Sequence, residues 1–99
     1  MNTTENNNII VEFMNHYENM GNKGLLYHKD WNWLMEVVEK IEDLNYSIEI
    51  NKQEENDYQC LVVKKDILIQ EFSSTKIQAV YNACVEFIKW YNEKSAKNN

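Results

Sequence analysis

Residues 57–72 place apolar side chains on both sides of the strands that they predict. One side carries Cys60, Val62, Ile67 and Ile69, and the other carries Leu61, Val63, Leu68 and Phe72. A sheet with two apolar sides needs a covering layer on each, which helices or a second copy of the chain can supply. The pattern limits the chain to a layered fold and leaves a homodimer as an open alternative.

Three strands are predicted, at residues 46–52, 57–64 and 67–72. The polar stretch QEEN separates the first two strands, and a tight Lys65-Asp66 turn joins the last two. Connections this short join neighbouring antiparallel strands. We expect a three-stranded, mostly antiparallel sheet with helices packed on it.

Three helices are predicted by apolar residues at helical spacing, at residues 4–20, 31–44 and 76–94. Asp30 is a good N-cap for the second helix, because its carboxylate can accept from free amides of the first turn. The third helix is opened by Ser74 or by a capping box of Thr75 and Gln78.

The resulting element order, α-α-β-β-β-α, predicts an α+β fold. A chain of 99 residues has room for one hydrophobic core, so we expect a single domain over residues 1–99. Residues 1–3 and 95–99 are expected to fray. On the second helix, apolar residues cover half of the circumference or more, and its narrow polar strip spaces Glu36 and Lys40 for an i,i+4 ion pair.

Acidic residues are concentrated in one segment of the chain. Residues 36–57 hold eight acids against two lysines and carry the whole formal net charge of −6. The chain contains no Arg, the residue that best grips phosphates and guanine edges. Because a field of this sign repels a phosphate backbone, we expect no direct binding to nucleic acid.

No group of residues has the spacing of a catalytic or metal site. The zinc-binding residue types are His16, His28, Cys60 and Cys84, and no two of them have C-x-x-C or H-x-x-x-H spacing. The carboxylates lie on a solvated helix face and a loop, not in pockets that separate their pKa values. We expect no enzyme activity, no metal and no cofactor, and we interpret Cys60 and Cys84 as reduced core residues.

The compartment follows from two further features. The apolar runs fall far short of the roughly 20 residues that a bilayer crossing needs. The Asn-rich start lacks the basic and apolar regions of a secretory signal peptide. We expect a cytoplasmic protein that does not bind membranes.

Two surface features are candidates for protein binding. The first is acidic and consists of Glu36, Glu39, Glu42, Asp43, Glu54, Glu55 and Asp57. Such a surface can imitate a phosphate backbone and bind the basic groove of a nuclease or DNA-binding protein, or it can serve solubility alone. The second is Trp90, which lies with Ala79 and Ala83 on one side of the third helix. That side is either a contact surface or dimer seam, or the place where the first helix packs.

Residues 30–44, DWNWLMEVVEKIEDL, and residues 76–92, KIQAVYNACVEFIKWYN, resemble the two signature segments of the phage ABA-sandwich domain. This is a family of small bacteriophage and prophage proteins, and with IIVEFM of the first helix the resemblance covers most of the chain. Similar proteins often have Pro where this chain has Glu36, and a longer insert before YHKDWNWLM, so a function housed in that insert does not carry over. The family name implies a sheet between helical layers and brings no catalytic residues.

The resemblance implies a mobile-element origin, and small acidic phage proteins often act by occupying a functional surface of a host protein. The leading hypothesis is inhibition of a host defence nuclease, including anti-CRISPR action on a guide-RNA effector. One rival is an oligomeric protein that sequesters a nucleotide, with Lys64, Lys65 and Lys76 converging on phosphate. Another is a structural accessory of the phage particle.

Overall fold

The computed structural model describes residues 3–15 and 25–97 of the chain. The elements are α1 (Thr3–Met14), α2 (Trp31–Asp43), β1 (Ser47–Glu54), β2 (Asp57–Lys64), β3 (Ile67–Ser73) and α3 (Lys76–Lys97). The predicted α+β class and element order are confirmed. None of the helices in this part of the chain combines the length and the apolar character needed to cross a membrane.

The strands form one antiparallel sheet in the order β1-β2-β3. Asn56, in the turn between β1 and β2, has a φ of 55°, a left-handed conformation that Asn adopts more readily than most residues. Val62 pairs with Ile69 and Val63 with Leu68, so that the two predicted sides of the strands are confirmed. Val62 is fully buried and Leu68 is 61% exposed. We call the side of Val62 the inner face of the sheet and the side of Leu68 the outer face.

Helix α3 packs on the inner face, against β2 and β3, and α1 and α2 pack on α3. Ala79 and Ala83 of α3 are fully buried, and small side chains allow a helix to approach a sheet closely. Trp90, on the same side of the helix, borders a groove with Ile67 of β3, which identifies the side of α3 that faces the sheet. The core is therefore centred on α3, which is buried around most of its circumference.

The helices within residues 3–15 and 25–97 cover only the inner face of the sheet. On the outer face, Phe72 is 49% exposed, and Ser47, Glu49 and Asn51 of β1 are exposed as well. The expectation of a sheet between helical layers is wrong for the described part of the chain. Helix α3 has two apolar sides: one packs on the sheet, and the other packs on α1 and α2. All three helices therefore lie on the same side of the sheet.

Helix α1 is shorter than predicted, because it ends at Met14. Asn15 adopts a φ of 59°, and its amide donates to the carbonyl of Glu12 at 3.3 Å. A left-handed residue directly after the last turn is a common way to end a helix. The predicted continuation through residue 20, and the glycine-containing loop after it, lie outside the described residues.

The predicted cap of α2 is confirmed, and of the two predicted openings of α3 the structure selects Thr75. Asp30 accepts from the amide of Asn32 at 2.8 Å, and Thr75 Oγ1 accepts from the amide of Gln78 at 3.3 Å. The side chain of Gln78 donates to Asn82 at 2.8 Å, so the return bond of a capping box is not made. Helix α3 continues to Lys97, beyond its predicted end at residue 94.

Candidate functional site

The acidic strip is the exposed side of α2 and consists of Glu36, Glu39, Glu42 and Asp43. The helix is anchored by Leu34, Val37, Val38 and Ile41, which are buried. An α-helix rises 1.5 Å per residue, so the four carboxylates occupy about 10 Å of helix axis, roughly one per 3.5 Å. One strand of duplex DNA carries a phosphate about every 3.4 Å. The strip therefore has about the linear charge density of one nucleic-acid strand.

Lys40 does not neutralise the acidic strip. Its ammonium group donates to the backbone carbonyl of Phe13 and lies 4.6 Å from the centroid of the Phe13 ring. The predicted ion pair between Glu36 and Lys40 is wrong, because the last carbonyls of α1 have no partner within that helix and attract a cation. Within the described residues, no ion pair joins the strip to a lysine.

The other predicted acidic residues lie on the β1–β2 hairpin. Glu54 ends β1 and Glu55 stands in the turn, both exposed, whereas Asp57 begins β2 half-buried. Lys52 pairs with Glu55 at 2.8 Å. The acidic charge of this hairpin tip is therefore partly neutralised, unlike that of the strip, and the structure gathers only the α2 acids into one row.

Trp90 belongs to the packing between α3 and the sheet. Its ring centroid lies 6.1 Å from that of Tyr46 and 5.9 Å from that of Phe87, and the residue is half-buried. Because Ala79 and Ala83 are fully buried on the same side of α3, the chain's own sheet covers this side. The alternative that α1 packs on this side is therefore wrong, whereas a role of Trp90 in protein binding stays a prediction. What remains accessible of Trp90 is one wall of a groove.

A lysine–aromatic groove of about 360 Å³ lies between the β2–β3 turn and the C-terminal part of α3. Its lining residues are Tyr46, Lys64, Lys65, Asp66, Ile67, Trp90 and Lys94. The ammonium group of Lys64 lies 4.7 Å from the ring centroid of Tyr46, and that of Lys94 lies 5.2 Å from the ring centroid of Trp90. Three lysines thus stand around an aromatic floor.

Lys76 does not line this groove. Its ammonium group lies 6.0 Å from the ring centroid of Tyr58, at the end of β2 remote from Lys64. The predicted convergence of Lys64, Lys65 and Lys76 is one between subunits of an oligomer, and it stays a prediction. The third lysine at the groove is Lys94. The sequence carries no signal for this position of Lys94, because Lys94 is far from Lys64 along the chain and only the packing of α3 on the sheet brings them together.

The outer face of the sheet carries a group of apolar side chains beside a row of amide side chains. Its apolar residues are Leu61, Val63, Leu68 and Phe72. Gln59 accepts from Asn51 at 3.3 Å and from Gln53 at 3.1 Å, and it donates to Gln70 at 3.2 Å. A homodimer through this face stays a prediction.

A polar network connects α1, the segment before α2, and α3. The buried hydroxyl of Tyr81 donates to Asn7 Oδ1 at 3.0 Å, and Asn7 Nδ2 lies 3.2 Å from both the Leu25 carbonyl oxygen and His28 Nδ1. Burial lowers the pKa of His28, and the nearby Lys29 charge lowers it further. The lowered pKa favours the neutral form of His28, and the hydrogen bonds satisfy the buried amide of Asn7.

The two thiols lie in the core, as interpreted from the sequence. Cys60 and Cys84 are free and buried, and burial raises the pKa of Cys60 to about 12 and that of Cys84 above its ordinary value. Such thiols stay protonated and unreactive at neutral pH. Over residues 3–15 and 25–97, no three His, Cys, Asp or Glu side chains form a group that could hold a metal ion. His16 lies outside the described residues.

The resemblance to the phage ABA-sandwich domain stays a prediction. No family model, curated protein or solved structure matches this chain.

Proposed function

We propose that the protein is a non-catalytic binding protein that covers a nucleic-acid-binding surface of a partner protein with its acidic strip. The observation that carries the proposal is the row of four exposed carboxylates on α2 from which Lys40 has been withdrawn. An uncompensated row of negative charge attracts a basic groove and speeds its encounter with the protein.

The strip is well suited to this role because it lies on a rigid element. The buried apolar side of α2 prevents the helix from turning, and Asp30 caps its first turn. Charges held on a packed helix lose little conformational freedom on binding, so less of the interaction energy is spent on ordering them. A charge row on a flexible loop would bind the same groove more weakly.

The partner class follows from the charge density of the strip. A groove built for a nucleic-acid strand presents cations at about the spacing of phosphates, which the strip approximates. The resemblance to phage proteins supports a host defence nuclease, such as a guide-RNA effector, as the partner. In this role the protein competes with the nucleic acid and has no need of a catalytic group.

The test is a cleavage assay with a purified guide-RNA nuclease, loaded with its guide, acting on labelled target DNA. The protein should slow cleavage, and the variant Glu39→Lys/Asp43→Lys should need at least about tenfold more protein for the same effect, since each position changes by two charges. Inhibition should also weaken as salt rises, because exposed charges are screened.

The matched control is Glu54→Lys/Glu55→Lys, which changes the net charge equally at the hairpin tip. It should inhibit within about threefold of the original chain. Equal losses of inhibition by both variants would indicate a general charge effect and would contradict a specific role of the acidic strip. Full inhibition by the folded Glu39→Lys/Asp43→Lys variant, or none by the original chain, would reject the proposal.

A further inference from the structure

The lysine–aromatic groove has a net charge opposite in sign to that of the whole chain. Lys64, Lys65 and Lys94 face one acid, Asp66, so the lining residues carry a net charge of +2. The whole chain carries −6. Since the lysines number only ten in the chain, the gathering of three of them around one concavity marks a place that attracts anions.

None of these lysines is neutralised by an acid within the part of the chain that the structure describes. The ion pairs found there join Lys52 to Glu55 and Lys89 to Glu86. Lys64 and Lys94 instead lie over aromatic rings, an interaction of only about 0.5–1 kcal/mol at an exposed site. A doubly charged oxyanion would form stronger, charge-assisted hydrogen bonds with the same ammonium groups.

The acids of the hairpin tip lie too far away to repel an anion from the groove. Strand β2 runs from the tip at Asp57 to the groove at Lys64, about 23 Å at the usual rise of a strand. Exposed charges are largely screened beyond about 8 Å at physiological salt. The C-terminal dipole of α3 also opposes an anion, but by roughly half a charge, which is less than the surplus of the lysines.

The floor of the groove adds a second kind of recognition. Tyr46 is almost fully buried, and Trp90 packs against both Tyr46 and Phe87, so its accessible part is a rigid wall. A planar ring can stack on such a wall when the lysine above it turns towards an anion. The volume of about 360 Å³ lies at the small end of the range for ligand sites, about 300–1,000 Å³.

We propose that this groove binds a mononucleotide, with Lys64, Lys65 and Lys94 holding the phosphate and Trp90 contacting the base. The site is separate from the acidic strip, since none of its lining residues lies on α2. Nucleotide binding goes beyond the proposed competition with nucleic acid for a partner protein and does not rest on that proposal. The site lies within one chain, whereas the alternative derived from the sequence places a nucleotide between subunits.

The experiment is a titration of the ¹⁵N-labelled chain with AMP and GMP, with adenosine and inorganic phosphate as partial ligands. The indole resonance of Trp90, assigned with Trp90→Phe, and the amides of residues 64–67 should shift together and saturate. Each nucleotide should bind at least about tenfold more tightly than adenosine or phosphate, because both halves of the site are used.

The double variant Lys64→Gln/Lys94→Gln should bind nucleotide at least about tenfold more weakly. Its matched control, Lys29→Gln/Lys76→Gln, removes the same charge from two exposed lysines outside the groove and should bind within about twofold of the original chain. Spectra with unchanged dispersion show that both variants are folded.

Three results would overturn the proposal. The first is the absence of any saturable shift at millimolar AMP and GMP. The second is equal weakening by the two double variants, which would indicate nonspecific attraction. The third is phosphate binding as tight as nucleotide binding, which would remove the role of Trp90.

Discussion

Lys40 shows how a single contact changes the charge of a surface. Helical spacing pairs it with Glu36, yet its ammonium group instead satisfies the carbonyl of Phe13 at the end of α1 and lies on the Phe13 ring. A partly buried, charge-assisted bond to an orphan carbonyl is worth more than an exposed i,i+4 ion pair, which contributes about 0.3–0.5 kcal/mol. The stronger contact leaves the acidic strip without a base.

The variant Lys40→Met keeps the apolar stem of the side chain and removes the ammonium group. We expect the free energy of unfolding in urea to fall by about 1 kcal/mol, because the Phe13 carbonyl loses its donor. Lys29→Met, at an exposed lysine, should change it by less than about 0.5 kcal/mol. Equal effects of the two substitutions would contradict the role assigned to Lys40.

His28 is the second residue whose environment has a measurable consequence. Burial and the charge of Lys29 lower its pKa in the folded chain below the ordinary value of 6.5. In the unfolded chain it binds a proton near that value. Its contribution to stability is therefore complete above about pH 6.5 and is lost as the pH falls through the lower folded pKa.

The measurement is urea unfolding of the original chain and of His28→Gln at about pH 7.5 and about pH 5.5. The difference between the two free energies of unfolding should move in favour of the variant at the lower pH, because Gln cannot bind the proton. Comparison at each pH cancels the carboxylates that both chains share. A difference that moves in favour of histidine on acidification would contradict the lowered pKa.

At the scale of elements, β2 is apolar on both sides and buried on one. Val62 is fully buried against α3, while its neighbour Val63 lies half-buried on the outer face opposite Leu68. Alternation along the strand predicts the two sides, but it does not say which side a helix covers.

This asymmetry predicts that the same Val→Ala substitution lowers the free energy of unfolding by different amounts on the two faces. Val62→Ala should lower the free energy of unfolding by about 2 kcal/mol, through lost apolar burial and the cavity left behind. Val63→Ala should cost less than about 1 kcal/mol, since the outer face is partly in water. Urea unfolding of both variants compares them directly, and equal costs would indicate that the outer face is also covered.

Over the whole molecule, acidic and basic side chains are concentrated on different surfaces. The four acids of the strip lie on α2, the hairpin tip carries further acids, and three lysines gather at the opposite end of β2. A chain with a net charge of −6 thus presents one strongly negative surface and one locally positive groove. These two surfaces have opposite preferences, for a basic protein groove and for a small anion.

Part of the candidate site was predictable from residue spacing. Glu36, Glu39 and Asp43 fall on one side of a helix by periodicity alone, because their exposure follows from the apolar residues between them. Trp90 was not predictable in the same way, since the side of α3 that carries it is apolar whether it packs on a sheet, on α1 or on a second chain. Lys94 and Tyr46 carry no sequence signal as groove residues.

The element order, the cap at Asp30 and the two apolar sides of the strands follow from the sequence, because these features depend on neighbours a few residues away. The choice of Thr75 over Ser74 as the cap of α3, the position of α3, the open face of the sheet and the contacts of Lys40 and Lys94 are set by the tertiary structure. Those outcomes depend on contacts between distant segments, for which several packings satisfy the same local pattern. The geometry of the assembled layers selects among them.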